Sequence, residues 1–134
     1  MSVIITASRV QGGQYNFAND PSLGAVGSVG LGVYLPKNSV ITRFWIQSIV
    51  GPKSANSTAT ISFIMGTGGK TLFSPVLVGA LGSGTVNAGI DFNANPAASA
   101  TVSTPTPQVT MVIGVESLTG GNIIFSIEYT EKDL

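Results

Sequence analysis

The chain has 134 residues with no cysteine and no histidine, and its six basic and six acidic side chains cancel. That length suits one domain with a real core, and the missing residue types exclude disulfides, thiolate chemistry and the commonest general base and metal ligand. Charged residues make up 9% of the chain, against about 25% in a typical soluble domain. Ser, Thr, Asn and Gly must therefore coat the surface, unless it is committed to other subunits. Basic residues scattered from Arg9 to Lys132 form no stripe for nucleic acid. Residues 1–5 place no basic region ahead of an apolar run, and Thr6 interrupts that run. No apolar stretch reaches the ~18 residues of a membrane span. The expectation is a chain made and used in a cytoplasm, or carried out inside a larger particle, with no nucleic-acid partner, no membrane partner and no cofactor.

Residues 2–10 read as an N-terminal strand, and residues 11–28, with Gly12-Gly13 and Asn19-Asp20-Pro21, as a long loop. Residues 31–35 form a short strand. Pro36-Lys37-Asn38-Ser39 is a tight turn leading into residues 40–50. There Val40, Phe44, Ile46 and Val50 share one parity while Ile41, Trp45 and Ile49 share the other. Such a strand is central or covered on its outer face. Residues 58–65 alternate, with Ala59, Ile61, Phe63 and Met65 inward. Residues 71–78 carry Pro75, which marks an edge strand or a bulge. Residues 86–92 are a further strand. Residues 93–107 are a second long loop, holding Pro96, Pro105 and Pro107 among Ala, Ser and Thr.

Residues 108–116, with Val109, Met111, Ile113 and Val115 inward, and residues 122–130, with Ile123, Phe125, Ile127 and Tyr129 inward, alternate in step. The glycines of residues 117–121 between them predict an antiparallel hairpin. No stretch combines helical periodicity with caps. Eight or so short strands punctuated by Gly and Pro predict an all-β, antiparallel β-sandwich, jelly-roll-like, as a single domain over residues 1–134. A barrel is the alternative.

Gly66-Thr67-Gly68-Gly69-Lys70-Thr71 has the tail of a phosphate-binding loop and follows a strand. The full motif needs a glycine where Ile64 stands and a helix afterwards, whereas Leu72-Phe73-Ser74-Pro75 reads as strand. A glycine-rich turn is the better reading. Glu116 and Glu128 would be neighbours across the expected hairpin, as solvated charges rather than a catalytic pair. Oxygen ligands alone permit calcium, but no EF-hand spacing is present, so no metal is expected. Asn56-Ser57-Thr58 matches a glycosylation acceptor and, without a secretion signal, reads as a polar turn. Phe44, Phe63, Phe73 and Phe125 belong to the core, and a lone strand tryptophan such as Trp45 is more often packing than a sugar platform. Trp45 nevertheless has the parity opposite to Phe44 and Ile46, so one of the two sets faces away from the main core. Trp45 is the best contact candidate, joined by Tyr34 and by Pro96, Pro105 and Pro107. No residue is read as catalytic.

The stretch Leu35-Pro36-Lys37-Asn38-Ser39-Val40-Ile41-Thr42-Arg43, followed by Ser57-Thr58-Ala59-Thr60-Ile61-Ser62, resembles small structural proteins of tailed bacteriophages. The shared pattern is a hairpin, a long strand, a small-residue turn and a second strand. The resemblance implies a β-sandwich virion protein of the auxiliary or head-decoration kind, without catalytic residues. Its implied partners are the major capsid protein or other virion proteins and further copies of the chain, in a virion assembled in the host cytoplasm. A tail, collar or fibre-associated subunit is the alternative within this class. A carbohydrate-binding β-sandwich module, using Trp45 or Tyr34 on an exposed sheet face, is the alternative from another.

Overall fold

The structure is a computed structural model and describes residues 6–36, 39–66, 71–91, 100–101 and 108–132. Nine strands follow in chain order: β1 Thr6–Asn16, β2 Gly27–Tyr34, β3 Ser39–Ser54, β4 Thr60–Met65, β5 Thr71–Leu77, β6 Val86–Asp91, β7 Ala100–Thr101, β8 Gln108–Gly114 and β9 Leu118–Lys132. Helical structure among the described residues is limited to two three-residue 3-10 turns, Phe17–Asn19 and Val78–Ala80.

All strand pairings are antiparallel. One sheet has the order β1-β9-β3-β6, with β7 also on β3; the other has the order β2-β8-β4-β5. Leaving the two-residue β7 aside, the first strand pairs with the last, the second with the last but one, and so inward: β1 with β9, β2 with β8, β3 with β6, β4 with β5. This is one long antiparallel ribbon folded back and wound so that successive pairs fall in opposite sheets, a jelly roll. The winding gathers the β1–β2, β3–β4, β5–β6 and β8–β9 connections at one end. β9 starts where its antiparallel partners β1 and β3 finish, and β6 starts where β3 finishes.

Each sheet turns one face inward, as period-2 alternation requires. Ile123, Phe125, Ile127 and Tyr129 of β9 are buried against Val109, Met111 and Ile113 of β8 and Ile61, Phe63 and Met65 of β4. At the centre, Phe44 and Phe125 of the first sheet meet Phe63 and Phe73 of the second. Ring centroids lie 5.2 Å apart for Phe44–Phe63, 5.8 Å for Phe44–Phe125, and 6.2 Å for both Phe63–Phe73 and Phe63–Phe125. Such pairs add about 0.5–1.5 kcal/mol each beyond their area burial. β5, carrying Pro75, is the edge strand its proline predicts.

Four expectations are corrected. β8 and β9 do not form a hairpin: β8 lies between β2 and β4, and β9 between β1 and β3. Their matched alternation reflects two strands that face one core from opposite sheets. The chain turns the corner at Val115, whose φ of 69° throws the side chain outward instead of inward. Gly121 is not in a turn. At its φ of 136°, a Cβ would come within 2.8 Å of the Pro52 backbone, so glycine there admits Pro52 into the β3–β9 pairing. Residues 11–28 are not one loop either, because β1 continues to Asn16 and β2 starts at Gly27.

β3 is central, as its two apolar parities implied, but the cause is a β-bulge. Ile41 pairs with Tyr129 and Arg43 with Glu128, leaving Thr42 as the extra residue. Ile41 and Phe44, three apart, therefore both point into the core. The Thr42 hydroxyl is occupied by Glu128, 3.2 Å from its carbonyl and 2.9 Å from its carboxylate. The turn after Leu35 closes with the Ser39 N–H donating to the Pro36 carbonyl at 3.3 Å. It connects strands of different sheets, not a hairpin. Of the second expected loop, residues 93–107, only Ala100–Thr101 is described, paired with Ile41 and Val40.

Phe63→Ala should cost about 3–5 kcal/mol in a denaturant titration, a large part of a small domain's stability. A loss below about 1 kcal/mol would show that the sheets are not held together at this point.

Candidate functional site: contact surfaces

Charge is segregated between the sheets. Arg9, Arg43, Lys53, Asp91, Glu128, Glu131 and Lys132 all lie on strands of the first sheet. No residue of β2, β4, β5 or β8 is charged. On β2, β8 and β4 the outward positions include Ser28 opposite Val112 opposite Ser62, and Gly30 opposite Thr110 opposite Ile64, with Ser62 and Thr110 themselves buried. The result is a smooth, neutral face of small and β-branched side chains. Proteins normally protect exposed sheet edges with charge, and β2 and β5, the edges of this sheet, have none.

Trp45 stands on the outer face of the first sheet, partly exposed, between Ser126 of β9 and Ala88 of β6; Gly12 lies one strand further along the same row. These small neighbours leave the indole proud of the sheet. The Arg43 guanidinium covers it at 5.8 Å from the ring centroid, a cation–π contact. Tyr34 is exposed at the end of β2, in the other sheet. Its carbonyl takes a long hydrogen bond of 3.5 Å from Gln11 Nε2, which also donates to the buried Tyr129 hydroxyl at 2.8 Å. The structure does not bring Trp45 and Tyr34 onto one face. Pro96, Pro105 and Pro107 lie outside the described residues.

The loop end of the sandwich is tied down by two carboxylates. Asp20, in the β1–β2 connection, accepts from the Tyr15 hydroxyl at 2.7 Å, the Ser22 N–H at 2.8 Å and the Gly24 N–H at 3.0 Å. Burial opposes the charge on Asp20, yet these hydrogen bonds outweigh it and hold the carboxyl below its usual range. Burial first, then the bond and charge of Asp20, push the Tyr15 hydroxyl up. Gly24, at φ 75°, lies against Leu118, whose N–H donates to the Gly24 carbonyl at 2.8 Å. Glu116, in the β8–β9 connection, holds the β3–β4 turn. It accepts from the Asn56 N–H at 3.0 Å and the Asn56 side-chain amide at 2.7 Å. A hydrogen bond from the Ser54 hydroxyl, followed by those from Asn56, brings the Glu116 pKa down to about 2. Glu116 and Glu128 are not neighbours: Glu116 sits at this corner and Glu128 in mid-strand beside Arg43.

Two depressions mark this end. One of about 180 Å³ lies beside Tyr15, Asp20 and Leu31; one of about 400 Å³ lies among Lys53, Ser54, Ser57 and Ser83. In the first the carboxylate already holds three donors, and the second offers serines and one lysine without a base, so neither assembles acid–base or nucleophilic machinery. Among the described residues no group of three or more Asp or Glu side chains comes together as a metal site. Residues 67–70 of the glycine-rich motif lie outside the described residues, and Thr71, which follows them, begins strand β5 instead of a helix. Sequence reasoning missed the exposure of Leu23 and Val115 and the charge-free sheet. The first has no signal in the sequence. The second was readable by placing the twelve charges on the strands.

No protein-family description and no curated protein matches the sequence. Solved structures do match in fold. A chain of the acidic stable capsid structure of Helicobacter pylori bacteriophage KHP30 superposes with a TM-score of 0.63 at 15% identity, over 96% of this chain and 93% of that one. A chain of the cyanophage Pam1 capsid asymmetric unit superposes with a TM-score of 0.61 at 17% identity, over 94% of this chain and 86% of that one. At such identities the likeness is one of fold.

The two carboxylate clips impose a pH dependence. Both folded-state pKa values lie below the ordinary ones, so the stability they supply is complete above about pH 4.5 and is lost as Glu116 protonates toward about pH 2. The urea midpoint should fall across that window, and Glu116→Gln should flatten the fall. An unchanged slope in the variant would remove Glu116 from the account.

Proposed function

We propose that the chain is a non-enzymatic structural subunit of a bacteriophage particle. In finer detail it is an auxiliary or decoration protein seated on the head shell, in contact with the major capsid protein and with copies of itself. The observation that carries this reading is the fold likeness to two phage capsid chains, which runs nearly end to end in both partners of the KHP30 comparison. What is shared is nearly the full length of this chain. Fold alone does not fix function, so the surface chemistry has to agree. A charge-free sheet, neutral net charge and occupied carboxylates favour contact over catalysis, because burying such a surface strips no unpaired charge of water. The chain would then be made in the host cytoplasm and end in the virion.

The capsid origin of both neighbours favours the head over a tail, collar or fibre. A carbohydrate-binding module is the weaker reading: Trp45 and Tyr34 belong to different sheets, and Arg43 already occupies the Trp45 ring.

Mass spectrometry of purified particles of the encoding phage should find the chain in many copies. Deleting its gene should leave closed but less robust shells. Absence from the particles would contradict the structural role, and complete loss of shells would make it the major shell protein instead of an auxiliary one.

A further inference from the structure

The larger depression at the loop end, about 400 Å³, lies between two segments distant in sequence. One wall is the end of β3 and the turn after it, with Pro52, Lys53 and Ser57; the other is the segment after β5, with Val78, Gly82 and Ser83. Hydrogen bonds fix the walls to each other. The Gly51 N–H donates to the Ser83 hydroxyl at 2.8 Å, the Ser48 N–H to the Thr85 carbonyl at 3.0 Å, and the Gly84 N–H to the Ser48 carbonyl at 2.6 Å. The space between them is therefore held open by the fold, which spares a ligand the entropy of ordering its site.

The polar groups of these walls divide unevenly. The Ser54 carbonyl already accepts from the Ser57 N–H at 3.2 Å, the Val78 carbonyl from the Leu81 N–H at 3.0 Å, and the Gly82 carbonyl from both the N–H and the hydroxyl of Thr85, at 3.1 and 2.7 Å. The Ser54 hydroxyl accepts from the Ala59 N–H at 3.2 Å and donates to Glu116. By contrast, the Gly82 and Ser83 N–H groups, the Ser57 hydroxyl and the exposed Lys53 ammonium meet no partner among the described residues. The Ser83 hydroxyl, accepting from Gly51, keeps its own proton to give. Every uncommitted side-chain group here can donate, and none is an acceptor only. No acidic residue lines the space. Glu116 stands behind Ser54, and its charge is spread over the donors of Asn56 and Ser54. That charge reduces the pull of Lys53, so an anion would be held by contact hydrogen bonds more than by the field. A Cβ added at Gly82 would meet nothing within 4 Å, so its backbone can be approached closely.

We propose that this cavity binds a phosphate monoester. Lys53 meets the charge, and the Ser57 and Ser83 hydroxyls and the Gly82 and Ser83 N–H groups donate to the phosphoryl oxygens. The shape of the donor set selects this group. Donors stand on two facing walls, and a tetrahedral phosphoryl group presents oxygens to both at once, whereas a planar carboxylate presents its two oxygens to one side. The volume leaves room beside the phosphoryl group for an organic part, which Pro52 and Val78 would meet. The inference goes beyond the structural role and stands or falls independently of it.

The test is a titration of the whole chain with phenyl phosphate, followed through backbone amide chemical shifts. The Ser57, Gly82 and Ser83 signals should move together and saturate, while those at the centre of β9 stay still. Lys53→Gln should weaken binding at least about tenfold, the effect of removing one charge-assisted contact. Ser57→Gly should weaken it about threefold, the effect of one neutral hydrogen bond. Glycine suits the backbone of Ser57 at φ 58°, so this variant should keep or raise the thermal midpoint, which separates lost contact from lost fold. Arg43→Gln removes the same charge from the outer face of the first sheet and should leave binding unchanged. Inorganic phosphate should bind at the same signals more weakly, acetate should not saturate them, and a short oligothymidylate, which offers phosphodiesters, should displace phenyl phosphate poorly. Shifts that never saturate or scatter over the surface, unchanged binding in Lys53→Gln, or an equal loss in Arg43→Gln would each overturn the proposal. Acetate binding as tightly as phenyl phosphate would make the ligand a carboxylate, and full displacement by oligothymidylate would make it nucleic acid; either result overturns the monoester. Inorganic phosphate binding as tightly as phenyl phosphate would overturn the part given to Pro52 and Val78.

Discussion

The contact of Phe44 and Phe125 with Phe63 across the middle of the sandwich, at centroid distances of 5.2–6.2 Å, is the constraint on which the rest of the architecture depends. Neither sheet can exist alone, because each has an apolar face that water would cover. Once the rings meet, every strand has its inward parity fixed, since a one-residue slip would turn its core side chains outward. The bulge at Thr42 follows from the same demand. β3 must bring both Ile41 and Phe44 to the core while staying paired with β9, and the extra residue resolves the conflict.

Much of this was legible in the sequence, because alternation is a direct consequence of strand geometry. The inward sets of β4, β8 and β9 and the edge position of β5 follow from Ile61-x-Phe63, Val109-x-Met111, Ile123-x-Phe125 and Pro75. Pairing was less legible. Alternation says which face a strand buries but not which neighbour it has, so β8 and β9 looked like a hairpin although they line opposite walls of one core. The glycines that encouraged that reading answer to a neighbour distant in sequence: Gly121 makes room for Pro52. The left-handed backbones of Leu23 and Val115 left no trace either, because leucine and valine argue against the conformation they adopt. The outward placement of Trp45 was readable from parity; its partner Arg43, two residues away on the same face, was within reach of the same argument.

The economy of charge connects fold to function. Twelve charged residues are placed so that one sheet carries none and the loop end has both of its carboxylates occupied internally. For an isolated protein such surfaces forgo the repulsion that keeps molecules apart. For a subunit packed among many copies they remove the largest penalty of close contact, the desolvation of unpaired ions. The jelly roll adds a rigid scaffold whose winding collects four connections at one end, so a contact surface can be built there without disturbing the core.

Amide hydrogen exchange, measured on the free chain and on the same chain within purified particles, tests this account most directly. The account predicts slower exchange in the particle across residues 17–26 and 115–117 and along the β2 and β5 edges, while the already protected centre of β9 stays the same. Identical exchange at those connections and edges in both states would contradict it.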